Sequence, residues 1–98
     1  MEITFNDKHL DKLETDGGFE GGHSPDIIKA YRKRIQLIRN APDERDFYSF
    51  RSLKFEKLKG DRQHQYSMRL NDQWRLILEF QQEGANKIVV VIGIEDYH

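Results

Sequence analysis

An α+β fold, with N-terminal helices packed on a mainly antiparallel C-terminal β-sheet, is predicted by three features of this sequence. Apolar residues recur with a helical period from Ile27 to Ile38 behind a strong helix start. Two period-two runs follow, Tyr66 to Leu70 and Trp74 to Phe80. The last run, Ile88 to Ile94, is apolar on both faces, as a strand with neighbours on both sides requires. Helices first and strands last give an α+β domain rather than alternating βαβ units. At 98 residues the chain makes one domain, 1–98.

The elements follow in order. Glu2 to Phe5 reads as a short strand with Ile3 and Phe5 on one face. Asn6 is placed to cap a helix over about Asp7 to Glu14, whose apolar positions are Leu10 and Leu13. Residues 16–22 hold four glycines between Gly17 and Gly22 and form a loop too short to separate domains. Ser24-Pro25-Asp26 combines a cap, a proline in the first turn and an acid at the positive end of the helix dipole. That helix buries Ile27, Ile28, Tyr31, Ile35 and Ile38, and Asn40-Ala41-Pro42 stops it. Asp43 to Phe50 is a turn or third helix, with Phe47 and Phe50 directed inward. Leu53, Phe55 and Leu58 alternate as a strand, and Gly60-Asp61-Arg62 and Asn71-Asp72-Gln73 make turns.

Composition bounds the chemistry. A chain this short buries roughly 60–65% of its unfolded surface, so a site should lie on an open face or shallow groove. There are no cysteines, which excludes disulfides and thiolate metal sites and fits a reducing, cytoplasmic setting. Met1-Glu2-Ile3-Thr4-Phe5 shows no leader pattern, and no apolar run approaches a membrane span. His9, His23 and His64 lie in unrelated segments, so a metal site is not expected.

Charge is unevenly spread. Seven cations between Arg51 and Arg75 face only Glu56, Asp61 and Asp72, a net of +4 that leaves −5 elsewhere. Lys29, Arg32, Lys33 and Arg34 form a second basic group, read as a solvated helix face. The first cluster suits an anionic ligand, or equally an ordinary solvated face. Period two puts Ser67 and Arg69 opposite Tyr66 and Met68, and Arg75 opposite Trp74 and Leu76, so Arg69 and Arg75 can share one polar face. Phe55 and Lys57 should share a face, with Lys59 if the strand persists. The tail Asp96-Tyr97-His98 follows directly on the apolar strand. It can take a proton, give one or bind phosphate, or it is simply a polar ending. Arginines, lysines, a tyrosine and a histidine on one sheet face suit single-stranded RNA.

Three stretches carry a resemblance. Leu58-Lys59-Gly60-Asp61-Arg62, then Gln65 to Leu76 (QYSMRLNDQWRL), then Ile94-Glu95-Asp96-Tyr97-His98 resemble the HigB toxins of the RelE/ParE superfamily, the plasmid-maintenance killer proteins. The likeness is strong from about Leu53 to His98 and weaker before it. It implies a RelE/ParE-like fold and an mRNA endoribonuclease acting on translating ribosomes, at the A site. Cleavage would be metal-independent, by 2′-hydroxyl attack, with no cofactor. The partner would be a cognate HigA-like antitoxin carrying a helix-turn-helix.

The residues matching the family's functional positions are Lys59, Arg75, Asp96, Tyr97 and His98. His98 is expected as general acid or base, with Asp96 orienting it and Tyr97 stacking on a base or donating to phosphate. Arg75 and Lys59 would neutralise developing charge, and Lys57, Arg62 and Arg69 would anchor the RNA backbone. One position departs: Glu56 stands where these toxins commonly have a histidine. It either serves as the base or is a surface residue.

Overall fold

The computed structural model describes residues 1–18 and 21–96. Three helices and five strands appear in the order β1 (Glu2–Phe5), α1 (Lys8–Thr15), α2 (Pro25–Asn40), α3 (Arg45–Ser49), β2 (Glu56–Lys57), β3 (Gln65–Arg69), β4 (Trp74–Glu83) and β5 (Asn86–Asp96). This is the α+β architecture expected. The sheet order is β1-β5-β4-β3-β2. Strands β2 to β5 form an antiparallel meander, and β1 adds to β5 in parallel through Glu2↔Ile88 to Phe5↔Val91. The apolar run of β5 therefore lies between two neighbours, which explains why neither of its faces is polar.

Local chemistry fixes the helices. Ser24 Oγ accepts from the Ile27 amide at 3.4 Å, and Pro25 occupies the first turn of α2. Its apolar stripe Ile27, Ile28, Tyr31, Ile35 and Ile38 is buried against the sheet residues Met68, Leu76, Leu78, Val89 and Val91. Helix α1 adds Leu10 and Leu13 and is tied to α2 by Arg39, which donates to both Glu14 oxygens at 2.9 and 2.6 Å. Arg32 donates from Nε to the Leu13 carbonyl at 2.7 Å, satisfying the end of α1. Part of the second basic group is thus consumed by helix packing.

Three expectations are corrected. The cap of α1 is Asp7, whose Oδ1 accepts from His9 and Leu10 amides at 2.9 and 3.1 Å, while the Asn6 amide donates to Val91 O at 2.9 Å and extends the β1 edge. Phe50 is 48% exposed, because α3 ends at Ser49 and only Phe47 turns inward. The strand over Leu53, Phe55 and Leu58 shrinks to Glu56–Lys57. Leu53 sits in a single 3₁₀ turn that Lys54 closes at φ 45°, a left-handed conformation that breaks the alternation.

One irregularity sets the faces of the sheet. Ile77 pairs with Gly93 but Leu78 pairs with Val91, so Ile92 is an extra residue on β5. The bulge lets Ile94 and Val91 both face the helices while Glu95 stays opposite Arg75.

Candidate functional site

The sheet has a second face, away from α1 and α2. Cross-strand partners share a face, so the ladder reads out a patch directly. One row is Glu95, Arg75 and Arg69; the next is Gly93, Ile77, Ser67 and Glu56. Arg69 and Arg75 are direct neighbours on one face, as period two predicted. Two cations in register are unfavourable unless each has a counter-charge. Arg69 Nη2 donates to the Asp72 carboxylate, and Glu95 lies across from Arg75. Arg75 is 7% exposed and donates from Nη1 to the Asn71 carbonyl at 3.2 Å. Asn71 itself shapes the β3–β4 turn, its Oδ1 accepting from the Gln73 and Trp74 amides at 2.8 Å each.

A cavity of about 180 Å³ opens on this face. Leu58 and Ile77 supply its apolar lining, and Ser67 also lines it. Arg62 and Arg75 face it together with Glu95 and Asp96. Arg62 arrives from the 3₁₀ turn Gly60–Arg62 after β2, in which Gly60 adopts φ 68°, a conformation a side chain would strain. Its Nη2 donates to Glu95 Oε2 at 2.7 Å and its Nε to Gln65 Oε1 at 2.9 Å. The hydrogen bond to Glu95, against a smaller desolvation penalty, raises the Arg62 pKa and holds the group cationic. Asp96 Oδ2 accepts from Gln73 Nε2 at 3.2 Å. From behind the sheet edge, Arg34 Nε donates to the Arg69 carbonyl at 2.9 Å; burial, then the charge of Arg69, lowers its pKa.

The structure therefore brings Arg62, Arg75 and Asp96 to one cavity and sets Arg69 and Glu56 on the same sheet face. Lys59 is exposed, on extended backbone immediately before the 3₁₀ turn that carries Arg62. Lys57 goes elsewhere: it pairs with Tyr66, whose face is that of Leu78 and the helices. Tyr97 and His98 lie outside the described residues. Trp74 is half-buried, packed against the core with His23 edge-on at 6.0 Å between ring centroids. Among the described residues no three His, Asp or Glu side chains converge as a metal would require, and no helix is long and apolar enough to cross a membrane.

Sequence reasoning placed Ser67 on the polar face but did not select it, and it passed over Leu58, Ile77 and Glu95. Ser67 had a signal: a small polar residue in phase with two arginines in the middle of a strand. Two larger clefts of about 500 Å³ each lie apart from this patch. One is beside α1 and the edge of β5 near Leu10 and Ile94, the other near Pro42 and Lys87, and neither holds a predicted site residue.

Comparison with known proteins bears on the same segments. A family model described as a RelE-like toxin of the type II toxin-antitoxin system HigB matches residues 3–98. Among solved structures, a YoeB/ParE toxin from Agrobacterium tumefaciens superposes with a TM-score of 0.64 and 20% identity over 100% of both chains, a likeness of fold. No curated protein matches the chain. With the family match spanning almost every residue, including the turn and strands that build the cavity, the chain belongs to the HigB-like family of RelE-like toxins from type II toxin-antitoxin systems.

Proposed function

We infer that this toxin is an endoribonuclease that cuts mRNA in the ribosomal A site, without metal, and is neutralised by a HigA-like helix-turn-helix antitoxin. The observation that carries this reading is the register of β4 and β5. Arg75 of the cationic segment lies opposite Glu95, and Trp74 opposite Asp96, so the segment that Tyr97 and His98 continue joins Arg75 at one cavity.

Cleavage by internal attack needs three things. A base takes the 2′-hydroxyl proton, the 2′-oxygen bonds to phosphorus, and the P–O5′ bond breaks as an acid protonates the 5′-oxygen. The pentavalent intermediate carries extra negative charge, which Arg75 and Lys59 neutralise in this reading. His98 serves as general acid or base, since an ordinary imidazole titrates near neutrality. Asp96 orients it, and Tyr97 stacks on a base or donates to phosphate. Glu56, on the Arg75 face across from Ser67, serves in this reading as the second proton-transfer group in place of the family's histidine. Arg69 and Arg62 anchor the RNA backbone with the salt dependence such contacts carry. Lys57, on the opposite face, reaches a different stretch of RNA if it binds any. The rim formed by Arg62, Glu95 and Asp96 is open to solvent on the free toxin, and docking on the ribosome would dry it and strengthen each of these interactions.

The test is to express wild type, Arg75→Ala and His98→Ala and to map mRNA 5′ ends. Wild type should cut within reading frames only while translation proceeds. Arg75→Ala should slow cutting roughly 10²–10³-fold with the fold intact by circular dichroism. Intact mRNA with an SOS response would replace this reading by a gyrase-directed, ParE-like one, and harmless expression of folded protein would make the chain an antitoxin-binding module alone.

A further inference from the structure

Ser67 is a residue on the Arg75 face whose burial has no evident return among the described residues. It is 1% exposed, yet its Oγ has no hydrogen-bond partner there. A buried hydroxyl left unmatched is a net cost to the fold, and alanine in its place would avoid it. The same Oγ belongs to a residue that lines the cavity beside Ile77 and Arg75. An unsatisfied hydroxyl just behind the wall of a cavity, brought to its surface by rotation about χ1, marks a place where a ligand can supply the missing partner.

The surroundings say what kind of ligand. Arg62 and Arg75 are matched in the cavity by Glu95 and Asp96, so its formal charge is balanced. The Arg62–Glu95 ion pair closes part of that charge on itself at 2.7 Å. A second phosphate entering here would face two carboxylates, so the group seated beside the phosphate that Arg75 meets is a neutral one. Leu58 and Ile77 offer apolar surface for the faces of a ring, and 180 Å³ is the share of about six water molecules, room for a single planar base. Around the edge stand a hydroxyl that donates or accepts, two carboxylates that only accept and two guanidiniums that only donate.

We propose that this cavity seats one unpaired nucleobase of the RNA strand, with the Ser67 hydroxyl hydrogen-bonded to its edge, and that Ser67 sets base preference next to the cut. The inference rests on the RNA-cleaving reading and adds to it a seat distinct from the phosphate contacts of Arg75 and Lys59.

Ser67→Ala tests the seat. Its melting temperature should be no lower than that of wild type, because nothing among the described residues uses the hydroxyl. Mapped 5′ ends should show a base preference at one position beside the cut in wild type, and that preference should flatten roughly five- to tenfold in the variant, the loss of one hydrogen bond. An unchanged preference, or a uniform slowing at every site, overturns the seat while leaving the nuclease reading in place. If mRNA stays intact in wild type, the nuclease reading falls separately. The seat is then decided by titrating 2′-O-methyl RNA trinucleotides that differ at one base. Amide shifts at Ser67 and Ile77 whose size depends on the base support it, and silence at those two amides overturns it.

Discussion

Tyr31 and Ser67 both carry hydroxyls that solvent does not reach, one on each side of the sheet. On the helix side, Tyr31 is fully buried and donates to the Leu10 carbonyl at 2.7 Å. On the other side, Ser67 is 1% exposed and its hydroxyl meets no partner among the described residues. The same contrast runs along β4 alone. Leu76 and Leu78 belong to the core cluster, while Arg75 and Ile77, alternate residues of the same strand, are buried outside it. Burial therefore has two meanings here. On the helix side it completes the fold, and on the other it builds a cavity floor.

The largest expected effect tests that distinction within one strand. Leu78→Ala should cost about 3–5 kcal/mol in urea denaturation, since it removes transfer free energy and leaves a cavity inside packed side chains. Ile77→Ala should cost about 2 kcal/mol, the transfer part alone, because the space it leaves joins a cavity that is already open. Equal costs would mean that both faces are core and would break the comparison.

A smaller effect separates the two hydroxyls. Tyr31→Phe should cost about 1–2 kcal/mol at neutral pH, since the Leu10 carbonyl loses its donor. Burial first, then the nearby carboxylates led by Glu14, holds the Tyr31 pKa well above its ordinary value of 10.0. A pKa raised on folding contributes stability that is fully present below the unfolded value and is lost as pH rises through the folded one. Wild type should accordingly lose stability above about pH 10, the ordinary tyrosine value, and the gap to Tyr31→Phe should close there in pH-resolved thermal melts. A gap that is constant with pH would deny the phenol its buried role.

Most of the helix side was legible in the sequence, and the reason is that its determinants are local. Ser24-Pro25-Asp26 starts α2 and an apolar stripe orients it, all within one continuous helix. The one-residue slip from Asn6 to Asp7 arose because both side chains can cap and only the pairing of the Asn6 amide with Val91 decides between them. The register of Arg69 with Arg75 was legible from period two across a short turn. The parallel addition of β1 to β5 was not, since nothing near Ile3 encodes a partner 86 residues on at Val89. Lys57 was assigned to the binding group by charge, but its face depends on pairing with Tyr66 across a turn, and Lys54 in its left-handed conformation resets the phase before it. Ser67 was readable as a polar-face residue. Its burial was not, because that depends on Leu58 and Arg62 on one side and Glu95 and Asp96 on the other meeting at one cavity.

The smallest effect distinguishes the rim of that cavity from its floor. Arg62 and Glu95 are 44% and 42% exposed, so their ion pair should contribute about 0–1 kcal/mol to stability, and Arg62→Ala should leave the urea midpoint nearly unchanged. RNA binding should respond differently. Removing the guanidinium also releases Glu95, so the rim becomes more negative by one charge and every RNA sequence is disfavoured alike. Binding of single-stranded RNA by filter assay should weaken a few-fold without change in base preference, and the slope of log affinity against log salt should fall by about one. Ser67→Ala should do the reverse, altering preference and leaving the salt slope alone. If Arg62→Ala shifts base preference instead, the ion pair is part of the seat, and the division between a charged rim that holds the strand and a neutral floor that reads it must be redrawn.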